Sequence, residues 1–241
     1  MNLVVLGANG QTGRLLTKQA LAAGHRVVAV TRQPGDFPLR DRHLTVAGLD
    51  VRDGAAVRGW VAGADAVLST LGVSFTREPV DTYSVGTANI VAAMRSTGAR
   101  RLAVVSSTAA FRTRRRRSPV AIRLIEPIIT RTIGKSVYDD MRRMETIVRS
   151  SGLDWTILRP SGLFDLPEPT AYHAGEVDPV GAFTARIDLA HYLLALADDR
   201  AAIGKTVVVS TTRHTPTVWQ MIRREAFAKP AVHSARTAPS P

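Results

Sequence analysis

At 241 residues the chain is long enough for one domain with a large core and short for two. It has no cysteine, which excludes disulfides, thiolate catalysis and cysteine-ligated zinc. The formal net charge of +12 comes from 28 Arg and 4 Lys against 20 acidic residues; it invites a nucleic-acid reading, but the basic residues are spread along the chain rather than gathered in one stripe.

Four consecutive apolar residues, Leu3 to Leu6, predict a fully buried parallel strand. The chain then turns through Gly7-x-x-Gly10-x-x-Gly13 into Arg14 to Leu21, which has helical periodicity. Strand, glycine turn and helix start form the geometry that holds a dinucleotide pyrophosphate: glycine lets the backbone approach the phosphates, and the free N–H groups of the helix face the anion. The spacing differs from the commoner G-x-G-x-x-G, and a tight turn that binds nothing is the alternative. Context favours the binding turn, because a second strand, Arg26 to Val30, follows Ala23-Gly24 at the distance a βαβ unit needs.

The end of that second strand bears on which dinucleotide. An acidic side chain there would bind the adenosine ribose 2′-hydroxyl and repel a 2′-phosphate. The chain has Thr31-Arg32 instead, with Asp36 arriving only after Pro34-Gly35. Arg32 can make charge-assisted bonds to a 2′-phosphate, so NADP(H) is expected over NAD(H). The plainer alternative is one more surface arginine.

Strands and helices then alternate. Leu44 to Leu49 predicts a strand ending at Asp50-Val51-Arg52-Asp53, and Ala55 to Val61 a short helix. Ala66 to Thr70 follows as a strand closed by Leu71-Gly72, then Val85 to Thr97 as a long helix and Leu102 to Val105 as a strand ending in Ser106-Ser107-Thr108. The basic run Arg112 to Arg117 could hold phosphates, but it reads as a solvated loop with no part in sequence-specific DNA binding. Ser118-Pro119 can open an apolar helical segment through Ile122 and Ile129, kinked or stopped at Pro127. Ser136-x-x-Asp139 predicts a capped start for a helix from Val137 to Ser150. Asp154 to Leu158, ending at Arg159-Pro160, is a strand, Ile187 to Ala197 a helix, Thr206 to Ser210 a strand and Thr217 to Phe227 a helix.

This alternation predicts an α/β fold: a single-domain, Rossmann-like, doubly wound parallel sheet over residues 1–228, with a disordered tail over 229–241. A helical segment, about 112–135, is expected near the cofactor mouth. The first strand begins at once, so no signal peptide is expected. No apolar run approaches the ~20 residues of a spanning helix, and a cytoplasmic protein without a membrane span is the expectation.

Five stretches carry a family resemblance: Gly7 to Gly13, Val105-Ser106-Ser107, Asp139 to Glu145, Ser151 to Pro160, and Ile187-Asp188-Leu189-Ala190. Together they resemble the atypical short-chain dehydrogenase/reductases, in the NmrA-like and biliverdin reductase B-like branch. The resemblance implies a cofactor-binding set. Gly7, Asn9, Gly10, Gln11, Thr12 and Gly13 would surround the pyrophosphate, and Asp50 and Val51 the adenine. Leu71 and Gly72 would lie on the nicotinamide ribose side, Ser106 and Ser107 beside the nicotinamide, and Pro160-Ser161-Gly162 across from it.

Catalytic residues are less legible. Typical members of the wider family pair a Tyr with a Lys four residues on, the Lys lowering the tyrosine pKa. Here Tyr138-x-x-x-Arg142 has the spacing with arginine substituted, and arginine cannot relay a proton. Ser107 and Tyr138 are the weak candidates, and the serine offered by biliverdin reductase B-like enzymes falls at Ala109. An NADPH-dependent oxidoreductase passing hydride to a flavin, quinone or similar conjugated molecule needs no such pair, since the acceptor can be protonated by water. Phe111, Phe164 and the apolar stretch Ile122 to Ile129 are candidate walls for its slot, or ordinary core. A non-catalytic NADP(H)-binding redox sensor is the competing reading, and a sugar-nucleotide epimerase a distant third. No histidine pair has metal spacing, and Asp139, Asp140 and Glu145 interleave with Arg142, Arg143 and Arg149 as helix ion pairs, so no metal is expected. The expected partner is a small-molecule substrate, with no specific nucleic acid, in a monomer or homodimer.

Overall fold

Short apolar runs buried on both sides build the sheet. In the computed structural model, residues 1–76, 78–111, 134–217 and 220 are described. In chain order they form β1 (Asn2–Leu6), α1 (Gln11–Ala22), β2 (Arg26–Thr31), β3 (Leu44–Gly48), α2 (Gly54–Val61), β4 (Ala66–Ser69), α3 (Thr82–Thr97) and β5 (Arg101–Val105). There follow α4 (Lys135–Arg149), β6 (Asp154–Pro160), β7 (Gly162–Phe164), β8 (Tyr172–Gly175), β9 (Phe183–Ala185), α5 (Arg186–Ala195) and β10 (Lys205–Thr211). The run Arg112–Arg117, the apolar segment after it, the helix expected from Thr217 to Phe227 (Thr217 and Gln220 apart) and the tail 229–241 lie outside the described residues.

The main sheet runs β3-β2-β1-β4-β5-β6-β10-β8. From β1 the chain winds outward through β2 and β3, then returns to place β4 on the other side of β1. That reversal is the switch point of a doubly wound sheet, where a crevice opens at the strands' carboxyl ends. Successive residues of a strand face opposite layers. Leu3 and Val5 pack with Leu16 of α1 and Leu193 of α5, whereas Val4 and Leu6 pack with Ile90 and Met94 of α3 and Met144 of α4.

The sheet is parallel through β10, but β8 pairs antiparallel with β10, Val208 opposite Gly175 through Thr211 opposite Tyr172. A separate two-stranded sheet joins β7 to β9. The doubly wound parallel sheet expected from the sequence is present; the antiparallel edge strand β8 and the parallel β7–β9 pair are additions to it. Strands of three or four residues, such as Tyr-His-Ala-Gly, have too little pattern to be read locally; their pairing comes from neighbours distant in sequence.

Two helix starts also differ. α3 begins at Thr82 rather than Val85, because the buried carboxylate of Asp140 on α4 accepts from the N–H groups of Tyr83 (2.8 Å) and Ser84 (3.3 Å). Ser136 does not cap α4, which starts at Lys135 behind Gly134. Its Oγ accepts instead from the Val80 N–H at 2.7 Å.

Candidate functional site

The three glycines of the first turn have three different jobs. Gly7 sits at φ +73°, and a Cβ there would lie 2.7 Å from the Thr70 carbonyl oxygen, so the turn requires glycine. At Gly13 a Cβ would lie 2.3 Å from the Gly7 oxygen and 2.8 Å from the Ala8 Cα, a measure of how closely α1 packs on the turn. Gly10 differs: a Cβ there meets only the Gly7 oxygen, at 3.3 Å. The backbone is bare at Gly10 although the protein's own packing does not demand it.

Gly10 is the N-cap of α1, which has neither a capping side chain nor an acidic residue in its first turn. α2 shows the contrast, with Asp53 accepting from the N–H groups of Ala55 and Ala56. The first N–H groups of α1, at Gln11, Thr12 and Gly13, precede the first helical bond, from Arg14 N to Gly10 O. Nearby, Asn9 Oδ1 accepts from Arg14 Nε at 2.9 Å, adding a positive group that the motif reading did not include. Thr70 Oγ1 donates to Leu6 O (2.9 Å) and Gly7 O (3.2 Å), tying the end of β4 to the turn at the switch point.

Arg32 is exposed immediately after β2. Asp50, beyond β3, accepts from Arg52 through Nη2 at 2.7 Å and through Nε. These hydrogen bonds, chiefly, hold its carboxyl down from the ordinary 3.8 to about 2; the positive charge of Arg32 acts in the same direction. The sign follows: the pair adds stability above the ordinary carboxylate pKa, and that contribution is lost as pH falls through about 2. Asp50→Asn is therefore expected to lower the urea midpoint at pH 5 and to narrow its gap to the parent toward pH 2. Arg52 is exposed and Asp50 partly so, so the effect is small and shrinks with salt. Val51 is buried, and its carbonyl and that of Arg52 accept from Asn89 Nδ2 at 3.0 and 2.8 Å. Asn89, inside α3, had no motif to signal it.

At the other end of the crevice, Leu71 and the exposed Gly72 follow β4. Ser106 and Ser161, just past β5 and β6, are buried, and neither Oγ has a hydrogen-bond partner among the described residues. Their backbones are fixed, Ser106 N donating to Leu158 O at 2.8 Å and Ser161 N to Thr184 Oγ1 at 3.0 Å. Ser107 Oγ accepts from Ala109 N, and Thr108 Oγ1 donates to Pro160 O at 3.2 Å, so the ends of β5 and β6 are tied together. A buried hydroxyl without a partner is costly, and two at the carboxyl edge of the sheet suit a polar ligand that supplies the missing bonds.

Tyr138 is buried near the start of α4, its ring centroid 5.8 Å from that of Phe75, an exposed aromatic missed by the sequence reading because it lies in a loop without periodicity. Arg142 is paired with Asp139 and donates to the Ala110 carbonyl. The expected helix pairs Asp140–Arg143 and Glu145–Arg149 form, but both carboxylates are buried and also reach off the helix, Glu145 to Arg159 of β6. Phe164 does not line a slot: it packs edge-to-face on Phe183 in a small core with Ala185 and Ile187. Phe111 does lie at the carboxyl edge, after the turn that ends β5, with Arg159 stacked on its ring. Asp188 is fully buried and accepts from Thr170 N, Thr170 Oγ1 and Thr211 Oγ1, which ties the chain before β8 and the end of β10 to α5.

A cavity of about 460 Å³ lies at the opposite edge of the sheet, lined by Arg26, Arg42 and Trp60 among others. Among the described residues no cluster of His, Asp and Glu is placed to hold a metal ion, and no helix is long and apolar enough to cross a membrane.

A doubly wound sheet with a strand–glycine–helix turn at its switch point, and an uncapped helix start above it, defines a Rossmann-type dinucleotide-binding protein. The chain belongs to the NAD(P)H-binding family, whose model matches residues 7–200. Among curated relatives, an uncharacterised protein of Mycobacterium tuberculosis is 35% identical over 108 residues, which is 44% of this chain but only 12% of that protein's length. A protein of Schizosaccharomyces pombe is 28% identical over 217 residues, covering 85% of this chain and 87% of its own. Among solved structures, a Veillonella parvula short-chain dehydrogenase/reductase in complex with NADP superposes with a TM-score of 0.72 at 22% identity, covering 88% of this chain and 95% of that one. An anaerobilin reductase of Escherichia coli O157:H7 superposes with a TM-score of 0.69 at 20% identity, over 90% of this chain and 100% of that one. At these identities the two structures establish the fold alone.

Proposed function

We propose that the protein is an NADPH-dependent oxidoreductase that delivers hydride to a flavin, quinone or similarly conjugated small molecule. The observation that carries this reading is the pair of buried hydroxyls, Ser106 and Ser161, at the carboxyl ends of β5 and β6, which have no partner among the described residues. Gly7, Asn9, Gly10, Gln11, Thr12 and Gly13 would hold the pyrophosphate, Arg32 the 2′-phosphate, and Asp50 and Val51 the adenine. Leu71 and Gly72 would flank the ribose, with Ser106, Ser107 and Pro160 at the nicotinamide. The reduced nicotinamide, when bound, supplies a hydride to the acceptor, which takes its proton from water. The chain's own part is to orient both partners and exclude water around them.

No lysine stands four residues after Tyr138; Arg142 holds that position, and it is engaged by Asp139 and the Ala110 carbonyl. The same fact favours the competing reading, an NADP(H)-sensing regulator. NADPH oxidation measured against flavins, quinones and bilins separates them: turnover with any acceptor supports the enzyme, and tight NADPH binding without turnover supports the sensor. Within the enzyme reading, Tyr138→Phe is expected to change kcat by less than the ~100-fold that loss of a general acid brings. A larger loss with cofactor affinity intact would instead make Tyr138 a proton donor.

Cofactor choice has its own test. NADPH is expected to bind more tightly than NADH, and Arg32→Asp to reverse the order by about 1–3 kcal/mol, the worth of a charge-assisted contact. Equal affinities in the parent protein, measured by calorimetry, would remove Arg32 from the site.

A further inference from the structure

The turn that ends β5 is held from two other elements. Thr108 Oγ1 donates to the Pro160 carbonyl of β6 at 3.2 Å, and the Ala110 carbonyl accepts from Arg142 Nη1 of α4 at 2.5 Å. At Phe111, the guanidinium carbon of Arg159 stands 3.6 Å from the ring centroid. The guanidinium plane is itself held, Nε and Nη2 donating to the two oxygens of Glu145 at 2.8 and 2.6 Å. Glu145 is buried, and Arg149 Nη2 lies 3.3 Å from its Oε2. A fork occupied in its own plane by a carboxylate has its flat face left for stacking, and that face meets Phe111.

Simple adhesion of α4 to β6 does not call for this arrangement, since the same helix already reaches the sheet through Arg149, which stacks on Trp155 and donates to Thr206 Oγ1 at 2.6 Å. What the Glu145–Arg159 pair adds is a set orientation for one aromatic ring. That ring is only partly buried, and it follows Ser106 by five residues at the carboxyl edge of the sheet. Arg159 is itself the neighbour of Pro160, which ends the adjacent strand β6 one residue before Ser161.

We propose that Phe111 is the stacking wall for the acceptor, with Glu145 and Arg159 as positioning residues that set the plane of its ring. This rests on the reductase reading and narrows it: the acceptor is a flat, conjugated ring system, and selectivity for it resides in Phe111. Arg159 acts through Phe111 and touches no reacting atom.

The test uses the full-length protein with FMN as the flat acceptor and benzoquinone as a compact one. Phe111→Ala is expected to raise KM for FMN about tenfold, the scale of one lost aromatic stack, with kcat and NADPH affinity little changed. Benzoquinone should be affected much less, and Phe111→Tyr should restore the parent values. Arg159→Lys keeps the charge but loses the planar fork, and Glu145→Gln loosens it; both should shift KM for FMN in the same direction as Phe111→Ala. Thermal melting identifies variants that fail to fold, and Glu145→Gln then stands in for Arg159→Lys. Parent-like KM for FMN in the folded Phe111→Ala protein overturns the stacking wall. A Phe111 effect not reproduced by a folded Arg159 or Glu145 variant overturns the positioning role. Quenching of FMN fluorescence by the protein saturated with NADP⁺ provides a readout without turnover. Phe111-dependent FMN binding in a protein that oxidises no NADPH would refute the reductase reading and leave the stacking wall intact. Turnover indifferent to Phe111 would do the reverse.

Discussion

A Gly10→Leu variant is expected to fold and melt nearly as the parent does, and to bind no NADPH. A Cβ at this position meets only the Gly7 oxygen at 3.3 Å, a contact relieved by a shift of a few tenths of an ångström. Leucine is a poorer N-cap than glycine, which costs α1 on the order of 1 kcal/mol or less. The cofactor would meet a full side chain where the backbone now lies bare beside the free N–H groups of Gln11, Thr12 and Gly13. Gly13→Leu should fail differently, because its Cβ would lie 2.3 Å from the Gly7 oxygen and 2.8 Å from the Ala8 Cα, both backbone atoms that cannot swing away. That variant should lose its cooperative melt, not merely its ligand. Calorimetric titration with NADPH, run beside thermal melting, distinguishes the two failures. Gly10→Leu protein that binds NADPH with parent affinity would remove the glycine turn from the cofactor site.

Asp140→Ala is expected to give the largest loss of stability of any single polar substitution on α4. Its carboxylate is fully buried and is the acceptor for two N–H groups at the start of α3, with Arg143 at 3.1 Å. Asp81, the residue in the N-cap position of α3, makes no side-chain cap. Removing Asp140 leaves Tyr83 and Ser84 N–H without that acceptor, a cost of at least about 3 kcal/mol, taking the lower end of the roughly 1.5–3 kcal/mol for each of two bonds to a charged group. In a domain of this size that corresponds to a fall in Tm of roughly 6–12 °C. Asp139→Ala, one residue earlier on the exposed side and paired with Lys135 and Arg142, should cost far less. Equal melting temperatures for the two variants would show that α3 does not depend on its neighbour for a cap.

The contrast between Asp139 and Asp140 also marks the limit of what local pattern can say. Both fall in one acidic pair on a helix interleaved with arginines, and both read as surface ion pairs. One is, while the other is a buried cap for a different helix, because the turn of α4 places it against the N-terminus of α3. Ser136 differs for the same reason: its sequence context is that of a cap for its own helix, and its hydroxyl serves the chain at Val80. Phe164 and Phe111 are both single aromatics near strand ends. Contacts remote in sequence assign Phe164 to the core with Phe183 and set Phe111 under the guanidinium of Arg159.

What the sequence alone determined is the part written in backbone constraints and local periodicity. Apolar runs bounded by turns located the strands β1 to β6 and β10. The glycine spacing located the tight turn between β1 and α1, since φ at Gly7 and the approach at Gly13 are demands that no other residue meets. Tertiary structure alone decided the antiparallel edge strand, the small β7–β9 sheet, the burial of the Ser106 and Ser161 hydroxyls, and the contact of Glu145 with Arg159 and of Arg159 with Phe111. Each depends on groups brought together from separate elements. Their energies arise from burial and from hydrogen-bond partners that exist only once the sheet has closed around them.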